Sequence, residues 1–148
     1  MLYEVNKGTL AIIPTSADGS LILEDKNEYQ INKLPFDIMD YSCKYFGSSY
    51  EGRKEGTKDI LSIEYKVPII IEDSNALVFF PTISPRDPKC SWISVKRIKD
   101  FYQQDEYTTV IIFDNDKKLV LPVSFRSLEN QILRATRLES IIRNRKSH

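Results

Sequence analysis

Gly47-Ser-Ser-Tyr-Glu-Gly52-Arg-Lys54 sets two glycines ahead of a basic pair, which is nearly the layout of a loop that wraps a nucleotide phosphate. That chemistry needs lysine directly after the second glycine, then serine or threonine for magnesium, with a strand before and a helix after. Here Arg53 holds the lysine position, Glu55 follows Lys54, and a helical stretch precedes, so nucleotide hydrolysis is excluded. A looser role stays open. Backbone N–H groups with Ser48, Ser49, Arg53 and Lys54 can hold a phosphate of nucleic acid. The alternative is a capped connection needed only for its turns.

Other reactive groups are few. Cys43 falls on the apolar side of a helical pattern and reads as a small buried hydrophobe. Cys90 sits beside Lys89, which can lower a thiol pKa, but no histidine is available as its partner. The one histidine is His148, the last residue. The usual general base and the commonest metal ligand are thus missing from the folded body. Two cysteines alone make neither a zinc site nor a disulfide framework. Asp114 and Asp116 lack the further ligands of a calcium loop, and the pairs Glu24-Asp25 and Glu72-Asp73 read as solvated turns. The expectation is no enzyme, no metal and no cofactor.

The chain has 148 residues, 41% of them hydrophobic, with 21 basic and 21 acidic side chains. That is enough apolar material for one compact domain over residues 1–148. No apolar run nears the roughly 20 residues that cross a bilayer, and the start lacks a secretory layout. A reducing cytoplasm is the expected setting. The zero net charge hides a gradient. Residues 1–42 carry three lysines against seven acids, whereas residues 126–148 carry six basic residues against two acids. A basic rear is an anion-seeking surface, or it simply places cations at the C-terminus of a helix where the dipole favours them.

The elements that must hold these groups read as follows. Thr9-Leu-Ala-Ile-Ile and Leu21-Ile-Leu form a hairpin around a turn at residues 17–20. Phe36 to Phe46 is a helix by the spacing of Phe36, Met39, Cys43 and Phe46, closed by Gly47. Val67-Pro-Ile-Ile-Ile and Ala76 to Pro81 are apolar runs suited to strands buried on both faces. Residues 82–89 carry Pro85 and Pro88 and form a loop. Trp92 to Val95, Thr108 to Phe113 and Lys118 to Pro122 close a β-meander. Ser127 then caps a last helix whose buried face is Leu128, Ile132, Ala135, Leu138 and Ile142, with Arg134, Arg137 and Arg145 on an arc away from it. The class is α+β, mostly antiparallel, with an internal helix and a C-terminal amphipathic helix.

Three blocks in this order carry a family resemblance: Phe46 to Thr57, Phe80-Pro-Thr-Ile-Ser84 with Cys90-Ser-Trp-Ile-Ser94, and Leu121-Pro-Val-Ser124 with Ser127-Leu-Glu-Asn-Gln131 and Arg134. The set resembles the ComK family, the competence transcription factors of Gram-positive bacteria, over nearly the whole chain. The resemblance implies a cytoplasmic, nucleoid-associated activator of transcription that assembles into homo-oligomers. It implies binding to double-stranded DNA at paired A/T-rich boxes, mainly through the minor groove, with bending of the duplex. Longer members carry, past the last helix, a tail handed to the Clp protease by an adaptor. This chain stops at Lys146-Ser-His148, so the expectation is a weakened adaptor partner and less than full activator strength. The alternative is a protein-interaction module that titrates a longer relative or the adaptor.

Minor-groove readers use Arg, Lys, Asn and Gln against A/T edges, where the narrow groove concentrates negative potential. The glycine-rich block, with Arg53, Lys54 and Lys58, ranks first. The last helix, with Gln131, Arg134 and Arg137, ranks second, and Asn130 is expected to satisfy first-turn N–H groups. Lys96, Arg97 and Lys99 on the meander rank third. On a strand Lys96 and Arg97 would face opposite sides, and the trio can equally guard a sheet edge. The expectation is that these patches converge into one cationic ridge.

Overall fold

A computed structural model describes residues 2–16 and 18–146. Ala17, in the expected first turn, and His148 lie outside the described residues. The strands of the larger sheet are β1 (Thr9–Pro14), β2 (Ser20–Glu24), β3 (Glu28–Ile31), β4 (Ile69–Glu72), β5 (Leu77–Pro81) and β6 (Trp92–Ser94). Their order is β3-β2-β1-β6-β5-β4, and every pairing is antiparallel. A second sheet is the meander β7 (Ile98–Gln103), β8 (Thr109–Phe113) and β9 (Lys118–Leu121). Three helices complete the chain: α1 (Pro35–Tyr45), α2 (Tyr50–Leu61) and α3 (Phe125–Lys146). The expected α+β class holds.

Alternation along the central strands explains the layering. On β5, Leu77 and Phe79 face one core while Val78 and Phe80 face the other. Trp92 and Ile93 on β6, and Ile69 and Ile70 on β4, divide in the same way. The first core also holds Met39 and Cys43 of α1 and the Tyr50 ring of α2. The second holds Ile111 and Phe113 of the meander with Leu128, Ala135 and Leu138 of α3. A strand that serves two cores must be apolar at every position, which is why β5 reads as an unbroken run.

Three expectations are corrected. Trp92–Ser94 belongs to the large sheet, between β1 and β5, and the meander's first strand is instead β7. A register shift between Ile98 and Asp100 breaks the alternation of β7 and hides it in the sequence. Ser127 is inside α3; the start is closed by Ser124, whose Oγ accepts from the Ser127 N–H at 3.2 Å. Asn130 therefore lies beyond the first turn, where the backbone N–H groups bond within the helix, and is not a cap.

The meander is fastened to the large sheet by Arg97. Its Nε and a terminal nitrogen donate to Asp114 at 2.8 and 2.6 Å, another nitrogen donates to the Lys7 carbonyl at 3.0 Å, and Asp25 completes the set. Arg97 holds the Asp114 carboxyl below its ordinary value. Because that value is lower in the folded chain, the gain is whole above the unfolded pKa of ~4 and is lost as pH falls through the folded one. Arg97→Ala is expected to cost about 1 kcal/mol, since both carboxylates stay half in water. In thermal melts the gap between Arg97→Ala and the natural chain should be open at pH 7 and shrink below pH ~4.

Candidate nucleic-acid interface

The glycine-rich block is a helix, not a loop. Ser49 is its N-cap, its Oγ accepting from the Gly52 N–H at 3.0 Å, and Ser62 closes it in the left-handed region at φ 56°. Two glycines in the first eight residues and a buried set of only Tyr50, Thr57 and Leu61 give α2 a thin apolar seam. Its spacing of seven and four is helical all the same. Gly56 is exposed, and a Cβ there meets nothing within 4 Å. Gly56→Ala is expected to stabilise the chain by about 0.5–1 kcal/mol, read from its denaturation midpoint.

Tyr50 anchors the start of α2. Its ring lies edge-on to Phe36 at 4.6 Å and to Trp92 at 6.1 Å, and burial pushes its hydroxyl up to about 12. The Tyr50 N–H donates to Asp40 at 3.0 Å. Burial favours the neutral acid at Asp40, but that bond and Lys44 at 3.1 Å prevail and lower its pKa. Nearby, burial raises the Cys43 thiol to about 12 and raises that of Cys90 as well, so neither is a poised nucleophile.

From α2 the chain runs through residues 62–68 into β4, and α3 pins this segment. Gln131, 1% exposed, donates its amide nitrogen to the carbonyls of Lys66 and Pro81, both at 2.9 Å. Arg134 donates to the Tyr65 carbonyl and to Gln131 Oε1, both at 3.1 Å. Lys66 is held in the left-handed region at φ 50°, a conformation costing a lysine about 1 kcal/mol. Its Nζ reaches Ser127 Oγ at 3.4 Å.

Between this segment, α2 and the β5–β6 loop lies a cleft of about 220 Å³. Lys54, Lys66 and Arg86 line it, with Tyr50 and Tyr65. The acid in its wall, Glu64, is paired with Lys58 at 3.2 Å, which raises the Lys58 pKa. Lys54 has no ion-pair partner among the described residues. Arg86 leans on the Phe36 ring at 4.2 Å and meets Glu51 at 3.1 Å while staying exposed. The opening is therefore cationic, with stacking surface beside the charge.

The ten expected contacts divide accordingly. The first- and second-ranked patches do meet: Lys54 lines the cleft, Lys58 fixes Glu64, and Gln131 and Arg134 hold the segment that carries Tyr65 and Lys66. Gln131 is buried with its amide spent inside the fold, so its expected place among the groove contacts is corrected. Arg53 is turned away to Asp73 at 3.2 Å. Ser49 is committed to its cap, and Ser48 stands just before it ahead of α2, outside the cleft lining. Arg137 is exposed on the solvent side of α3. The third patch does not join. Lys96 and Arg97 form a 3-10 turn rather than a strand, Lys96 donates to the Asn75 carbonyl at 2.6 Å, and Lys99 pairs with Asp116 at 2.8 Å. Asn75 precedes the start of β5 and Pro81 is its last residue, so this trio lies at the other pole of the sheet. The single ridge is thus corrected to one cleft. Lys66 and Arg86 were missed; the signal was a cation beside Val67-Pro68 and another between Pro85 and Pro88.

Asp114 and Asp116 are spent on Arg97 and Lys99, and no acidic or thiol cluster among the described residues could hold a metal ion. No described helix is long and apolar enough to cross a membrane.

A family model described as ComK protein matches residues 1–147. The competence transcription factor of Bacillus subtilis (strain 168) is 40% identical over 149 residues, spanning 99% of this chain and 78% of that relative. No solved structure matches the chain.

Proposed function

The chain belongs to the ComK family, and from that premise we propose that this transcriptional regulator grips A/T-rich double-stranded DNA in the cleft between α2, the β5–β6 loop and the start of α3. The observation that carries the reading is the charge of that cleft: Lys54, Lys66 and Arg86 face it, and its acid, Glu64, is already neutralised by Lys58. Phosphate contacts from these three cations position the duplex. A cationic opening flanked by ring surface suits the narrow groove of an A-tract, where negative potential is concentrated.

One protomer brings few uncommitted cations, and the chain as a whole is neutral. Paired boxes bound by a homo-oligomer multiply the phosphate contacts and add avidity. Sedimentation with a two-box duplex should give a complex holding two or more copies; a single copy at saturation would remove the oligomer from the reading. We place this activity in the cytoplasm, on the nucleoid.

Footprinting on an A/T-rich duplex tests the docking mode. A minor-groove blocker added as competitor should erase the footprint. Protection that survives the blocker, or that appears equally on a G/C-rich duplex, would overturn minor-groove docking.

A further inference from the structure

Tyr65 is 81% exposed, on the rim of the cleft. Its ring does not serve the core, yet its backbone is held firmly. The Tyr65 carbonyl accepts from Arg134, the next carbonyl accepts from the buried amide of Gln131, and Lys66 keeps a left-handed backbone. Lys58 fixes the neighbouring Glu64 from the other side. A short segment braced at both ends by two helices, with a bare aromatic ring at its tip and cations on either hand, is built to present that ring. Exposure without bracing would be an ordinary surface tyrosine; bracing without exposure would be core packing.

Resting on the DNA reading of the same cleft, we infer that Tyr65 stacks on a nucleobase, entering a pyrimidine–purine step of the duplex held by Lys54, Lys66 and Arg86. Such steps unstack easily, and a TA step is the form an A/T-rich site offers. Apolar side chains inserted between base pairs from the minor groove are a general device for opening a step. A flat ring suits any base, because every base has a π-face, so Tyr65 supplies stacking while the cations supply position. The hydroxyl is not needed for this, which separates stacking from hydrogen bonding.

Permanganate oxidises thymines that have lost their stacking, and it reads the step directly. With a duplex containing one central TA step, the natural chain should make the thymine at that step reactive. Tyr65→Phe should retain that reactivity and the affinity. Tyr65→Ala, whose melting temperature should be unchanged because the ring is in water, should lose the reactivity and bind at least threefold more weakly. Binding by the natural chain, with equal reactivity and affinity in Tyr65→Ala, would overturn the stacking role and leave the cleft standing. Reactivity lost in Tyr65→Phe as well would overturn it in favour of a hydroxyl contact. A shift of Tyr65→Ala to smaller species in sedimentation without DNA would overturn it in favour of a protein contact. No binding by the natural chain would overturn both readings.

Discussion

Lys54→Glu is expected to weaken binding to an A/T-rich duplex at least tenfold, about 1.4 kcal/mol, with the melting temperature nearly unchanged. Lys54 is half-buried on the cleft side of α2 and has no ion-pair partner among the described residues, so its replacement breaks no ion pair there. A carboxylate in its place sets a negative charge beside Lys66 and Arg86, where a phosphate is proposed to sit. Arg53→Ala, one residue away, gives the contrast. Arg53 is turned to Asp73 at 3.2 Å with a largely buried side chain, so its loss should lower stability more than affinity. Gel-shift titrations beside thermal melts separate the two. Equal affinity for Lys54→Glu and the natural chain would remove the cleft from DNA binding.

Gln131→Leu is the second large effect, and it acts through the fold. The amide nitrogen serves the buried carbonyl of Pro81 and the half-buried one of Lys66, and the amide oxygen accepts from Arg134. Leucine fills much the same volume but leaves the Pro81 carbonyl without this donor, at about 1–3 kcal/mol, and the half-open Lys66 carbonyl without its own, at about 1 kcal/mol. The expected loss is about 2–4 kcal/mol in urea denaturation. The residue spans the end of β5 and the segment that presents Tyr65, so its removal should also loosen that segment. Amide hydrogen exchange at residues 62–67 should rise before exchange in β5 does. A stability change under 0.5 kcal/mol would mean that water replaces the amide at no cost.

Legibility in the sequence followed the strength of the apolar pattern. Strands β4 and β5 and helices α1 and α3 could be read because each sets a full apolar face against a core, as at Leu128, Ala135, Leu138 and Ile142. Helix α2 was hidden by Gly52, Gly56 and a seam only three residues deep. Strand β3 was hidden by an edge position that buries Ile31 alone, and β7 by its bulge. The site was legible only in part, because exposure and partnership are tertiary facts. Arg53 and Lys54 are neighbours of like charge, yet the turn of α2 sends one to Asp73 and the other to the cleft. Arg97 resembles a groove reader in sequence and is a clamp between sheets in space. Glu24 and Asp25, expected to be simply solvated, hold Tyr3 and Arg97.

Salt dependence tests the cationic cleft most directly. The affinity of the natural chain and of Lys54→Glu for one A/T-rich duplex should be measured across a series of salt concentrations. Each neutralised phosphate adds roughly 0.9 to the steepness of log K against log salt. A steep decline for the natural chain, shallower by about one in Lys54→Glu, is the predicted result. A flat line for the natural chain, or the same slope in both proteins, would contradict it.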